Sequence, residues 1–126
     1  MSTKARFAIV CVAATALGAG IAVAAASHVV RIDSNVRITK TAPVFAGKVT
    51  SPNAACKDQR KVKLHVVEQN NHVVGSDETN KRGKWKVHFQ GEGEAHYYAS
   101  VAKRSEGAAG TIYVCQHDTS PPVAAP

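Results

Sequence analysis

Two runs of cations, five of the six histidines and two of the three cysteines are the groups in this sequence with reactivity or charge to offer. Lys57, Arg60, Lys61 and Lys63 form one basic cluster, and Lys81, Arg82, Lys84 and Lys86 form another. These eight are half of the sixteen Lys and Arg residues, which face nine acids and leave a formal charge of +7. Such a chain attracts polyanions, with an affinity that falls as salt rises. If the two clusters share a sheet, their outward members make one positive stripe. The partner implied is an anionic polymer or cell-envelope component: a phosphate or uronate polymer, anionic lipid head groups or extracellular DNA. Single-strand readers interleave cations with stacking rings. Trp85 is expected inward and only Tyr98 and Tyr113 outward, so no specific nucleic-acid partner is implied. The competing reading is that outer-face lysines merely keep the sheet soluble and its edge unpaired.

Catalytic chemistry has little support. No G-x-S-x-G occurs. His117-Asp118-Thr119-Ser120 are neighbours in sequence, whereas a triad is an arrangement in space. Glu92 and Glu94 flank Gly93 in a turn-like stretch, and Asp77-Glu78 precede another turn. Glycosidic carboxyls must instead oppose each other on rigid elements. Asp77 does not open a calcium loop, because the alternating acids and central glycine are missing. His65, His72, His88, His96 and His117 follow the N-terminal region, with His65 and His88 expected on outward strand faces. Two imidazoles hold Cu(II) or Zn(II) only loosely. No catalytic residue, metal site or cofactor is therefore assigned, and the chain is read as non-enzymatic. The alternatives are a small secreted hydrolase or metal-binding protein, and a sheet-edge adaptor or inhibitor. The hydrolase would need two or three of His65, His88 and His96, with nearby acids, in one pocket.

Residues 1–26 read as a secretory signal peptide. Lys4 and Arg6 precede an uncharged run from Phe7 to Ser27 that ends in Ala24-Ala25-Ala26, a small-residue cleavage signature. A retained anchor is the competing reading, but the run is weakly apolar and no basic cluster follows it. Cleavage leaves a secreted, extracellular chain without stable membrane insertion, and a monomer is expected. With Cys11 lost in the leader, Cys56 and Cys115 remain, an even count that predicts a disulfide. Zinc would want four ligands with closer spacing.

The elements that must position these groups are strands. Phe45, Gly47 and Val49 alternate with Ala46 and Lys48; Val62, Leu64 and Val66 with Lys61, Lys63 and His65; Trp85, Val87 and Phe89 with Lys84, Lys86 and His88. This period of two puts apolar residues on one face and charge on the other. Weaker strands are expected at 72–76, 96–102 and 111–116, and Val36-x-Ile38 suggests an edge strand. Turn clusters such as Asn70-Asn71 and Asn80 to Gly83 separate them. With 126 residues there is room for one domain. Six or seven short strands predict an all-β fold, a small antiparallel β-sandwich of the Ig-like or transthyretin-like kind, with a barrel as runner-up. The expected organisation is an N-terminal segment at 27–42, the sandwich at 43–118 and a disordered, Pro-rich tail at 119–126 that does not pair in a sheet.

Phe45-x-Gly47-x-Val49, Arg60-x-Val62-x-Leu64, Thr79 with Gly83-x-Trp85-x-Val87, and Gly93 leading to Tyr97-Tyr98-Ala99-x-Val101 form a series. It resembles the transthyretin-like, carboxypeptidase-regulatory-like sandwiches over about 44–101. Arg82 stands where an acid usually precedes the turn glycine, and the cysteine pair is extra. The resemblance implies an accessory or binding module without catalytic residues of its own, although fold alone does not fix function.

Overall fold

A computed structural model describes residues 28–126, the side chain of Ala108 excepted; the expected leader at 1–26 lies outside these residues. The described residues hold short strands and two 3-10 turns, Ala54–Cys56 and Val67–Gln69, and no α-helix. In chain order the strands are β1 (His28–Ile32), β2 (Asn35–Lys40), β3 (Val44–Thr50), β4 (Lys61–Val66), β5 (His72–Glu78) and β6 (Lys84–His88). They continue with β7 (Ala95–Val101), β8 (Arg104–Ala108), β9 (Thr111–Cys115), β10 (Asp118–Thr119) and β11 (Val123–Ala125). The chain forms two compact units.

The larger unit, residues 31–105 and 114–126, contains the sandwich. One layer is a five-stranded sheet in the order β10-β7-β4-β5, with β11 also on β7; the other is β2-β3-β6. Every pairing within these two sheets is antiparallel. Period-two alternation sends Val62, Leu64, Val66, Tyr97, Ala99 and Val101 inward from the first layer. Val36, Phe45, Val49, Trp85 and Val87 come from the second, and all join one core. Phe45 meets Tyr97 from the facing layer with ring centroids 4.6 Å apart. Each fully buried Val, Leu or Phe contributes about 1.5–3 kcal/mol. A one-residue slip would turn each inward row to solvent, so burial sets the register.

Cys56 and Cys115 are bridged, and with Ile32 they make a second buried cluster. Their sequence separation is 59. Closing a loop of that size stabilises by about 4 kcal/mol in the chain-entropy model.

The sandwich has two open sides, and a carboxylate from the larger sheet closes each. Asp118 of β10 accepts from the backbone N–H of Val36 on β2 at 2.8 Å, and Asp77 of β5 accepts from that of Lys86 on β6 at 2.9 Å. Edge N–H groups that would otherwise template pairing with another chain are thereby taken.

One expectation is corrected. The segment 119–126 is paired: Asp118 and Thr119 stand opposite Val101 and Ser100, and Val123 to Ala125 opposite Tyr97 to Ala95. Pro121 and Pro122 fall between these stretches, where no ladder N–H is required of them. Ser120 bridges the gap, donating its N–H to the Ala99 carbonyl and accepting the Ala99 N–H on its hydroxyl, each at 2.8 Å. Ala125 is buried in the core. The segment 27–42 contributes β1 and β2, and β2 takes the edge position expected of Val36-x-Ile38.

In the smaller unit, the described residues are 28–30 and 106–113. Ala109 and Gly110, with φ of 50° and 83°, turn the chain from β8 to β9, and the Gly110 carbonyl accepts from the His28 N–H at 3.0 Å. Val29, Val30, Ile112 and Tyr113 are exposed there.

Candidate anion-binding face

The outer face of β2-β3-β6 is built by the parity that fills the core. Val36, Phe45, Gly47, Val49, Trp85 and Val87 point in, so Arg37, Lys48, Lys84, Lys86 and His88 point out. Register then aligns the charges. Arg37 stands opposite Lys48, and Lys48 opposite Lys84, so three cations lie in one row across three strands. In the next row Lys40 and Lys86 flank Ala46, because a bulge between Ile38 and Lys40 shifts the pairing. Facing side chains in such rows have Cβ atoms about 5 Å apart, and like charges there are destabilising. Among the described residues none of these five cations forms an ion pair. Charges so aligned repel one another, a repulsion that a bound anion would relieve.

The face also has relief. A cavity of about 540 Å³ is lined by Lys40, Lys48, Lys84 and Lys86 together with Trp85, and Asp77 and Glu78 border it on the β5 side. Trp85 is buried, and its indole N–H has no hydrogen-bond partner. Gly47 makes room for the ring, since a Cβ there would lie 2.6 Å from Trp85 Cζ2 and 1.8 Å from the Arg37 carbonyl oxygen. At one end, the Asn80 side-chain oxygen accepts from the N–H groups of Arg82 and Lys84 at 2.9 and 3.1 Å. Gly83, at φ 80°, completes this turn. It carries exposed Lys81 and Arg82.

The two basic clusters of the sequence do not form one stripe. Lys61 and Lys63 lie on β4 of the five-stranded sheet, and Lys84 and Lys86 on β6 of the other, facing away from each other across the core. Lys57 is half-buried just after the first 3-10 turn, where its carbonyl accepts from the Thr79 hydroxyl at 2.5 Å.

Arg60 is withdrawn from any surface role. It is 1% exposed. Its guanidinium donates to the carbonyls of Cys56, Ala102 and Gln116 at 2.6, 2.7 and 3.0 Å, and to the Ser34 hydroxyl at 2.9 Å. Burial, and then the nearby Arg104 charge, pull its pKa below the ordinary value. Position 60 has the parity of Val62, Leu64 and Val66, so the alternation itself assigned this cation inward. Arg37, Lys40 and Lys48 were missed in turn, although Lys48 alternates with Val49. Their alignment depends on strand pairing.

The histidines disperse. His65 and His88 occupy different sheets. His96 lies 2.6 Å from Glu68, whose carboxyl is lowered to about 2 by hydrogen bonds from the His96 side chain and backbone. His65 stacks on half-buried Tyr98 with centroids 4.5 Å apart and ring planes within 2°. Its ring nitrogens contact the Asn71 carbonyl and the hydroxyl of Ser100, a residue that the sequence did not single out. Among the described residues no three His, Cys, Asp or Glu side chains gather as a metal site. None of the described helices is long and apolar enough to cross a membrane. No protein-family model, curated protein or solved structure matches the chain.

Proposed function

We propose that this protein is a secreted module that acts by surface contact, holding an anionic polymer or cell-envelope component on the outer face of β2-β3-β6. The observation that carries the reading is the row Arg37–Lys48–Lys84, three directly opposed cations without a carboxylate partner. A solubilising face needs no such row, because alternating signs would serve solubility without self-repulsion. The disulfide is compatible with an oxidising, extracellular setting. The likeness to transthyretin-like sandwiches belongs to the same reading, as a binding architecture. Asp77 and Asp118 occupy edge N–H groups on both sides of the smaller sheet, which disfavours strand addition by a partner.

Chromatography on immobilised heparin tests the proposal. The protein is retained at low salt and elutes within a salt gradient. The triple variant Arg37→Gln, Lys48→Ala, Lys84→Ala elutes at clearly lower salt, whereas Lys61→Ala with Lys63→Ala moves elution less. Flow-through of the unaltered protein, or a larger shift from the Lys61 and Lys63 pair, overturns the assignment.

A further inference from the structure

On the opposite outer face, three groups form a hydrogen-bonded chain that anion binding does not use. His65 Nδ1 lies 2.9 Å from the Asn71 carbonyl oxygen, and His65 Nε2 lies 2.7 Å from Ser100 Oγ. A carbonyl oxygen only accepts, so Nδ1 carries the proton. In the neutral ring Nε2 then holds the lone pair, and the Ser100 hydroxyl donates into it. A hydroxyl nucleophile, a base and a third group that orients the base are the arrangement that activates serine.

The surrounding chain holds each member in place. The β4–β5 register shifts between Leu64 and His65, and such irregularities re-aim the side chains beside them. Asn70 and Asn71, at φ 56° and 60°, turn the chain into β5 and bring the Asn71 carbonyl to the ring. Tyr98, stacked parallel to the imidazole, fixes its plane. Ser100 stands on β7 with Lys63 directly opposite on β4. A cavity of about 250 Å³ is lined by His65, Ser100, Lys61, Lys63 and His117.

We infer that Ser100 and His65 are a nucleophile and general base for hydrolysis of small anionic esters. The Lys61 and Lys63 ammonium groups attract the substrate charge, and Lys63 is placed to stabilise the oxyanion. Ser100 Oγ bonds to the ester carbonyl carbon while its proton passes to His65 Nε2. The carbon–oxygen bond to the leaving alkoxide breaks, and the leaving oxygen takes that proton from Nε2. Water then attacks the acyl-serine, giving one proton to Nε2; the acid departs and Ser100 is reprotonated. This site lies on the other sheet from the anion-binding face and stands or falls separately from it.

Labelling with a fluorophosphonate probe, mapped by peptide mass, and hydrolysis of p-nitrophenyl hydrogen succinate test the inference. Ser100 is the labelled residue, and the Ser100→Ala variant takes up no probe. Ser100→Ala and His65→Gln each lower the hydrolysis rate by about 100-fold, the scale of general-base catalysis. Circular dichroism checks that both variants are folded. His96→Gln, an exposed imidazole elsewhere, leaves the rate unchanged. Absence of probe on Ser100 in the unaltered protein, hydrolysis by Ser100→Ala at the original rate, or an equal loss in His96→Gln overturns the inference.

Discussion

Arg60 and Lys84 each stand beside or within a β-strand in one of the two basic clusters of the sequence, yet their surroundings are opposite. Around Arg60, three carbonyls and a serine hydroxyl converge on a buried guanidinium, and two of those carbonyls belong to Cys56 and to Gln116, the residue after Cys115. Its charge ties the disulfide region to β7 and to the start of β2. Around Lys84, register supplies only more positive charge, from Lys48 and then Arg37. One cation is cemented by oxygens; the others are aligned and left open. Positive charge counted along a chain therefore says nothing of availability until parity and pairing are known.

The comparison breaks most sharply at Arg60. Arg60→Met keeps much of the volume but leaves buried carbonyls without donors, each costing about 1–3 kcal/mol. The expected total is a loss of about 4 kcal/mol in urea unfolding, with heparin elution of the folded fraction unchanged. An elution shift without a stability loss would reverse the roles assigned to the two regions. A smaller effect sharpens the partnered side. Asp118→Ala strands the N–H of fully buried Val36 and should cost about 2 kcal/mol, whereas Asp77→Ala frees an N–H that water reaches and should cost about 1 kcal/mol or less. Equal losses in thermal and urea unfolding would mean that the two sides are closed by something other than these carboxylates. The smallest effect has the opposite sign. Lys48→Ala removes the middle charge of the row and should stabilise the fold by about 0.5 kcal/mol while weakening retention on heparin. Raising salt should narrow that stability difference, since screening already quiets the row. A destabilised Lys48→Ala protein would show that the row is not under repulsion.

Alternation made most of the sandwich legible. Lys61 to Val66 and Lys84 to His88 are strands with the inward and outward faces that their residues imply. Cys56 and Cys115 are joined, the pairing expected once Cys11 is set aside. What alternation does not carry is which strands are neighbours. Lys61 and Lys84 read alike in sequence, but β4 and β6 belong to opposite layers, so the single stripe divides. The row through Arg37 appears only when β2 pairs with β3, a contact set by burial of Val36. Arg60 was readable from parity but was masked by the lysines around it. The tail was misread because two prolines exclude only their own positions from a ladder, and Ser120 supplies what they lack. Ser100 and His65 are 35 positions apart and carry no local motif, so only the β4–β7 register brings them together.

Ala125 lies in the core and Asp118 closes one side of it, so the layers cannot finish assembling from the N-terminal part alone. A chain lacking 118–125 would keep its middle strands but leave an unfilled seat along β7. Completion of the fold thus depends on 118–125 docking along β7.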